Sequence, residues 1–514
     1  MKQELFTNTP GEKHRRSRIA ASLPWAQLQD ESSLDRPDAP LPRSLAALEA
    51  LVRREINIAR YAPPAWVLPH EAPDGKPALD VLIAGGGQAG LAVAHGLQQN
   101  HVERILVVDE NPRGQEGPWG TYARMPTLRT HKENGGIELG IASLSFRAWY
   151  ETQHGYGAFE RLHKIKTADW HTYLGWFRDV LAIPMRNDTR LVRFGPVNDG
   201  TEMLFADVTT ADGGVERLYA RTMVLASGMI GNGAKLEPPF VASKLPQATW
   251  AHTHDTIDFV ALAEKTVAVM GGGASAYDSA IRAAEAGATV HIYHRQPKLN
   301  LLNSGTWGEF NGFLAHYADL SPLEKWRFTR QLGVIKSGPP KATLARALEL
   351  SNLIIHAGQG WRSVEMTSDR RALVSATDGA INADFLILGT GYRIDLSACP
   401  ELSDHHGHIA LWEHRFAPPS GEEDPVLLRA PWLGAYFEFT EREPGTAPWL
   451  HRVHNFARGA QLSMGTMPIG LSGIKFGVLR LVDGLSRKLF LDDRANYLAG
   501  LALWQKSDLS HMDT

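Results

Sequence analysis

Cysteine is nearly absent from this chain. Its 514 residues contain one, Cys399, which excludes any intrachain disulfide, structural or redox-active. An excess of either charge is missing too. The 53 Lys and Arg residues against 56 Asp and Glu give a formal net charge of −3, and such a balance offers no footprint for nucleic acid or for an anionic membrane. No uninterrupted apolar run approaches the ~18 residues that a membrane span needs. The start, Met1-Lys2-Gln3-Glu4-Leu5, has no apolar signal core, and Arg15-Arg16 lacks the hydrophobic stretch of a twin-arginine leader. A cytoplasmic location is therefore expected, with no nucleic acid and no membrane as partners. Zinc-type Cys/His spacing is absent as well. His405-His406-Gly407-His408 reads as a solvated turn, and no metal is expected.

What the chain does contain is a glycine-rich turn that occurs twice. Val81-Leu82-Ile83-Ala84 leads into Gly85-Gly86-Gly87-Gln88-Ala89-Gly90 and a helical pattern from Leu91 to Gln99. This is G-x-G-x-x-G between a strand and a helix. Thr266-Val267-Ala268-Val269-Met270 leads into Gly271-Gly272-Gly273-Ala274-Ser275-Ala276 and an Ala-rich helix. Here an alanine takes the last place, which the fingerprint permits. In both, the first glycine allows a tight turn, the second lets a pyrophosphate approach the backbone, and the third lets helix and strand pack closely. The helix N-terminus then presents free N–H groups and a positive dipole end to phosphate.

The residue that reads the adenosine ribose is expected about 20 residues after each turn. After Ile105-Leu106-Val107-Val108 stands Asp109, followed by Glu110. The Asp109 carboxylate accepts ribose hydroxyls and repels a 2′-phosphate, so the first site suits FAD or NAD. After Val290-His291-Ile292-Tyr293-His294 stands Arg295, a cation suited to a 2′-phosphate, so the second site is expected to prefer NADPH.

Two further apolar runs end in small residues, as buried strands entering glycine turns do. They are Met223-Val224-Leu225-Ala226-Ser227-Gly228 and Phe385-Leu386-Ile387-Leu388-Gly389-Thr390-Gly391-Tyr392. These segments resemble the A-[ST]-G and A-T-G-Y strands of flavoproteins with two dinucleotide domains, with Gly389 in place of the usual alanine. The resemblance implies an α/β fold with two Rossmann-like dinucleotide-binding domains. An FAD domain spans residues 80–240 and 380–490, an NADPH domain is inserted at 241–379, an extension covers 1–79 and a tail covers 491–514.

Enzymes of that build which reduce disulfides need a cysteine pair beside the flavin, and this chain has none. Over residues 80–490 it resembles the class B flavoprotein monooxygenases, which include N-hydroxylases, amine oxygenases and Baeyer–Villiger enzymes. Gly117-Pro118-Trp119 looks like that family's G-G-x-W segment, with Glu116 for the first glycine, and the resemblance puts Trp119 near the isoalloxazine; core packing is the alternative. Met125 to Glu133 falls where the family runs alongside the flavin. By position Arg129 is the candidate for holding nucleotide and stabilising peroxide charge, followed by Lys132 and His131.

The subfamily signature before the second turn is largely lost. Of it, Pro246-Gln247-Ala248-Thr249-Trp250-Ala251-His252-Thr253 keeps His252 and a following hydroxyl, and Thr256 replaces the tryptophan of Baeyer–Villiger enzymes. Thr253 leans the reading toward nitrogen, with His252 as a linker residue. The resemblance then implies hydride transfer from NADPH to FAD, addition of O2 at flavin C4a, and oxygenation of a small amine or hydroxylamine-type substrate by the C4a-(hydro)peroxyflavin. A Baeyer–Villiger or sulfur oxygenase is the second reading. A reductase passing electrons to a protein partner is the third.

The substrate side is expected from two segments. One is an aromatic insertion around 300–340 carrying Trp307 and Phe310, broken by Gly and Pro. The other is near the C-terminus, with Asn455 expected to be catalytic and Ser472 beside the flavin, ahead of a helix from Ile474 to Phe490. Ser44 to Arg60 reads as an amphipathic helix capped by Ser44, docking on its own domain or on a second copy of the chain. The cofactor set is completed by Gly85, Gly87, Gln88, Ala89, Gly90, Gly228, Gly271, Gly273, Ala274, Ser275, Ala276, His294, Gly391 and Tyr392.

Overall fold

The computed structural model describes residues 42–59, 65–134, 136–197, 200–300, 302, 304–335, 338–468 and 470–504. The chain enters through helix α1 (Leu45–Ala59). Its first turn is capped by the Ser44 hydroxyl, which accepts the Ala47 N–H at 3.2 Å. Leu48 and Val52 are buried, and Glu55 accepts both the N–H and the hydroxyl of Ser143. The helix thus docks on its own domain.

The first glycine turn joins β1 (Leu79–Ala84) to α2 (Gln88–Gln99), and β2 (Ile105–Val108) follows. β3 (Val215–Leu225) returns on the other side of β1. Both neighbours run parallel to β1, with Ala84 paired to Val108 and to Leu225. Central strands covered on both faces read as continuous apolar runs, which is why β1 and β2 were visible in the sequence. Met185–Arg186 beyond β2 and an antiparallel pair, Leu204–Thr209 and Arg190–Pro196, beyond β3 bring this sheet to six of its seven strands.

The second unit repeats the plan. β4 (Thr266–Met270), α3 (Ala274–Glu285), β5 (Thr289–His294) and β6 (Phe385–Leu388) lie in a five-stranded sheet whose outer strands are Leu353–Ala357 and Trp250–His252. Every pairing in it is parallel. α3 buries Tyr277, Ala280, Ile281 and Ala284 in the core that also holds Val267, Val269 and Ile292. A three-stranded antiparallel sheet contributes Val364 and Val374 to the core formed with Ala268, Tyr293 and Leu386.

Two linkers join the units, and they pair with each other. Gly233–Lys235 and Tyr392–Ile394 form a short antiparallel ribbon. A side chain at Gly233 would overlap the Arg393 carbonyl, so the glycine permits the close pairing.

The chain then returns to the first sheet as β7 (Val453–Asn455), parallel to β3 with Asn455 opposite Leu225. Helix α4 (Ile474–Ala502) packs along α2. It continues beyond Phe490, where the sequence reading ended it, because its distal part is tied to the fold. Asp493 is buried against His70 at 2.7 Å and Arg221 at 2.9 Å, and the Tyr497 hydroxyl donates to the Trp66 carbonyl at 2.6 Å.

The aromatic insertion is helical and sits on the first unit. Tyr317 donates to the Leu462 carbonyl at 3.2 Å, and Trp326 packs against Trp412 and Phe416. Among the described residues, no helix is long and apolar enough to cross a membrane.

Candidate active site

Both glycine turns have the shape the sequence predicts. Gly85 has φ +113° and Gly271 φ +134°, backbone conformations that residues with a side chain rarely adopt. A Cβ on Gly85 would overlap the Ala226 carbonyl oxygen, and one on Gly90 the carbonyl oxygen of Gly85 itself. Gly87 and Gly273 precede α2 and α3, and neither helix has a side-chain cap. Their first N–H groups are therefore open to an anion. Ala89 and Ala274 lie in these first turns, and Ser275 is exposed there.

The second turn resolves two departures from pattern at once. Ala276 replaces the last fingerprint glycine, and Gly389 replaces the alanine of A-T-G-Y. A Cβ on Gly389 would overlap the Cβ of Ala276, so a methyl removed from one strand end makes room for the methyl added on the helix. Gly389→Ala is expected to cost about 1–3 kcal/mol by overpacking. The double variant Gly389→Ala/Ala276→Gly is expected to recover most of that loss. Thermal unfolding of the three variants measures the coupling.

Asp109 closes the first site. Its carboxylate is buried, accepts the Gly86 N–H at 2.7 Å and the Asn111 N–H at 2.9 Å, and burial raises its pKa. Glu110 points outward to Arg190 at 3.5 Å. Gly117 has φ +67°, and its Cα packs against Gly87, so Gly117-Pro118-Trp119 lies directly over the first turn. The indoles of Trp119 and Trp170 both donate to the Gln88 side-chain oxygen, at 3.0 and 3.3 Å. At the second site Arg295 is exposed at the end of β5 and has no ion-pair partner among the described residues. His294 is buried beneath the turn and hydrogen-bonds the Gln296 carbonyl at 2.7 Å, with its pKa lowered by burial.

Residues 122–129 leave the first unit and grip the second. Arg129 forms an ion pair with Asp278 of α3. Arg124 donates to the Thr253 carbonyl and, at 2.6 Å, to the Asp255 carbonyl. The Tyr122 ring lies 4.0 Å from that of His254, whose Nδ1 is 3.1 Å from the Tyr392 hydroxyl. His252 hydrogen-bonds the Gly391 carbonyl at 3.0 Å, so it does join strand to linker. Lys132 turns into its own unit, donating to the Phe159 carbonyl at 2.7 Å and the Glu160 carbonyl at 3.2 Å, while His131 is exposed.

The two substrate-side segments meet at Asn134. Its side-chain N–H groups reach Ser472 Oγ at 3.5 Å and the Glu309 carboxylate at 3.4 Å. Trp307 and Phe310 pack with Phe313 and Phe328, in the insertion's own aromatic core. Asn455 is fully buried, and both polar atoms of its side chain lack a partner among the described residues. It stands where β7 ends, beside the turn at Gly228 (φ +64°). An unsatisfied buried amide beside an open glycine cradle fits an extended polar cofactor such as FAD. Sequence reasoning did not single out Arg124, Tyr122, His254, Asn134 or Glu309. Their partners lie far along the chain, so no local spacing signals them.

Cys399 is buried, and burial pushes its thiol up to about 12. It is inert. In His405-His406-Gly407-His408, His405 holds the Phe194 carbonyl at 2.8 Å and His406 that of Ser403 at 3.0 Å.

Burial also depresses His95 and His254, each to about 4 from an ordinary 6.5. Groups held neutral in this way stabilise the fold fully above pH 6.5, and the contribution is lost as pH falls through 4. Unfolding free energy is therefore expected to drop across that interval. His254→Gln is expected to flatten part of the drop in denaturant titrations.

One relative decides the family. The FAD-dependent urate hydroxylase of Xanthomonas campestris pv. campestris is 37% identical over 460 residues, covering 88% of this chain and 94% of that protein. The chain belongs to the class B flavin-dependent monooxygenases. The enzyme's residues 82–305 also match a family model described as pyridine nucleotide-disulphide oxidoreductase. Its one cysteine, Cys399, is buried, so the chain has no cysteine pair to place beside a flavin.

Among solved structures, an ornithine hydroxylase from Pseudomonas aeruginosa matches the monooxygenase with a TM-score of 0.65 at 16% identity, over 80% of this chain and 100% of that one. L-lysine 6-monooxygenase from Pseudomonas syringae matches at 0.59 and 20% identity, over 80% and 99%. Both have the same fold. The cofactors expected from the sequence, FAD and NADPH, are those of this family.

Proposed function

We propose that the enzyme hydroxylates urate or a closely related anionic oxopurine in the cytoplasm, using NADPH and O2. The observation that carries this reading is the 37% identity to a urate hydroxylase across 94% of that protein's length. FAD supplies the oxygen-activating chemistry and NADPH the hydride; the chain's own residues bind, orient and exclude water. The N–H groups opening α2 and α3 hold the two pyrophosphates. Asp109 takes the FAD ribose, Asn455 the polar part of the flavin, and Trp119 with Gln88 fixes the loop over the first turn. Arg129 and Lys132 form the wall between the units, the one holding α3 and the other anchoring the loop that carries Asn134.

Arg295 takes the 2′-phosphate. A charge-assisted hydrogen bond contributes about 1.5–3 kcal/mol, so Arg295→Ala is expected to raise KM for NADPH about tenfold or more and leave KM for NADH nearly unchanged. Steady-state kinetics with both nucleotides checks this.

Nitrogen oxygenation is the second reading, and one observation favours it. The half-buried Glu309 carboxylate has Asn134 as its one hydrogen-bond partner among the described residues, and an acid suits an ammonium group. NADPH oxidation by the FAD-loaded enzyme, followed with urate, primary amines, ketones and thioethers, separates the readings. Urate is expected to accelerate it and to be consumed. Acceleration by amines with a hydroxylamine product would establish the second reading. Indifference to all four, with rapid reduction of a one-electron dye, would point to a reductase.

A further inference from the structure

One largely buried cation has no counter-charge among the described residues. Arg458 lies in the loop after β7, where its backbone N–H donates to the Gly228 carbonyl at 3.0 Å. Its side chain is largely buried and forms no ion pair and no hydrogen bond among the described residues, and its Nε is fully enclosed without a partner. The contact it does make is with the face of the Tyr392 ring, 5.7 Å from the guanidinium. Burial lowers its pKa, and no carboxylate acts on it; Tyr392 is the one group that raises it. A buried guanidinium without an anion is costly. Elsewhere in this molecule deeply buried arginines are matched by acids, Arg221 with Asp493 and Arg452 with Asp492.

Two amides accompany it. Asn455, three residues before Arg458, is 0% exposed, and Asn232 is 1% exposed. All four of their side-chain polar atoms lack partners among the described residues. Asn232 lies directly against Gly459, where a Cβ would overlap it. Its own backbone is left-handed, φ +65°. Asn455 ends β7, and Arg458 and Asn232 lie in the loops that follow β7 and β3, adjacent parallel strands, at the carboxyl ends where ligands of open α/β sheets bind.

We infer that Arg458, with Asn232 and Asn455, recognises the negatively charged edge of a ring built from alternating N–H and C=O groups. The guanidinium supplies charge and paired donors, and each amide supplies a donor and an acceptor. Two molecules of this reaction share that chemistry: the pyrimidine edge of the reduced flavin, and an anionic oxopurine substrate. The second source rests on the urate reading; the first does not.

Arg458→Met removes the charge and keeps the length, and Arg458→Lys keeps the charge without the fork. Both are made as FAD-loaded enzymes and read in two ways. The flavin midpoint potential is measured without substrate, and the Kd of urate is measured from the perturbation of the oxidised flavin spectrum. A tenfold loss of preference for reduced flavin lowers a two-electron potential by about 30 mV. That fall in Arg458→Met with Kd unchanged assigns the flavin edge. A tenfold or greater rise in Kd with the potential unchanged assigns the substrate. Arg458→Lys is expected to keep part of either effect, and it carries the test should the methionine variant not retain FAD. A variant that holds FAD and leaves both quantities at their wild-type values overturns the inference. Wild-type enzyme that does not bind urate overturns the urate reading alone, and the potential still tests Arg458.

Discussion

Gly90→Ala is expected to yield protein that does not retain FAD. The Cβ of an alanine there would overlap the Gly85 carbonyl oxygen, and neither partner can give way. Gly85 is fixed from the other side, because its own position is set against the Ala226 carbonyl at the end of β3. The first turn of α2 must therefore move outward, carrying with it the N–H groups that are to hold a pyrophosphate. Overpacking of this kind costs about 1–3 kcal/mol of stability. The larger effect is on the cofactor, since shifted donors no longer converge on a phosphate. Flavin absorbance per protein after gel filtration is expected to fall to a small fraction of the wild-type ratio, with the circular dichroism of the fold largely kept. Gly273→Ala at the second turn provides the contrast, because a Cβ there meets nothing within 4 Å. That variant is expected to keep its FAD.

The second large effect lies far from the cleft. Asp80, Arg221 and Asp493 are 1, 3 and 1% exposed and join the first residues of β1, the middle of β3 and the distal half of α4. Arg221 is 2.9 Å from Asp493 and 4.0 Å from Asp80, which also binds Arg104 at 3.0 Å. Burial raises the pKa of Asp80 against the pull of these arginines, the sign of a carboxylate that depends on its partners. Arg221→Met takes a cation from two buried acids, leaving Asp493 with His70 and Asp80 with Arg104, and is expected to cost about 3–5 kcal/mol. The double variant Arg221→Met/Asp493→Asn is expected to recover part of this, because one of the two acid charges is gone. Thermal and denaturant unfolding of the FAD-loaded proteins measures both. Loss without recovery in the double variant would show that packing of the arginine stem, not its charge, holds α4.

The glycine turns, their strands and the places of Asp109 and Arg295 at the ends of β2 and β5 were legible in the sequence because each is a local pattern. A tight turn needs glycine at fixed offsets, and a buried parallel strand needs an unbroken apolar run. The exchange of a methyl between Ala276 and Gly389 was visible as two departures, but its sense required knowing that the helix start and the β6 end touch. The interdomain grip of Arg124 and Arg129 had the same difficulty. Arg129 read as a reagent for a flavin, and Arg124 carried no local signal at all; Asp278 and the carbonyls of Thr253 and Asp255, far along the chain, are what they hold. α4 was ended too early because its apolar periodicity weakens after Phe490. What holds the rest is a charge, Asp493, whose partners stand at positions 70 and 221. Arg458 stands three residues after Asn455 in the segment read as substrate-side, and a lone cation between alanine and glycine carries no sign of its burial.

The proposed reaction inserts one atom of dioxygen into urate at the expense of NADPH. Turnover of urate by the FAD-loaded enzyme in isotopically labelled dioxygen, with the product read by mass spectrometry, tests it most directly. One labelled oxygen per product, and one NADPH oxidised for each urate consumed, is the predicted result. Product without label, or NADPH consumed with matching hydrogen peroxide and urate untouched, would contradict it.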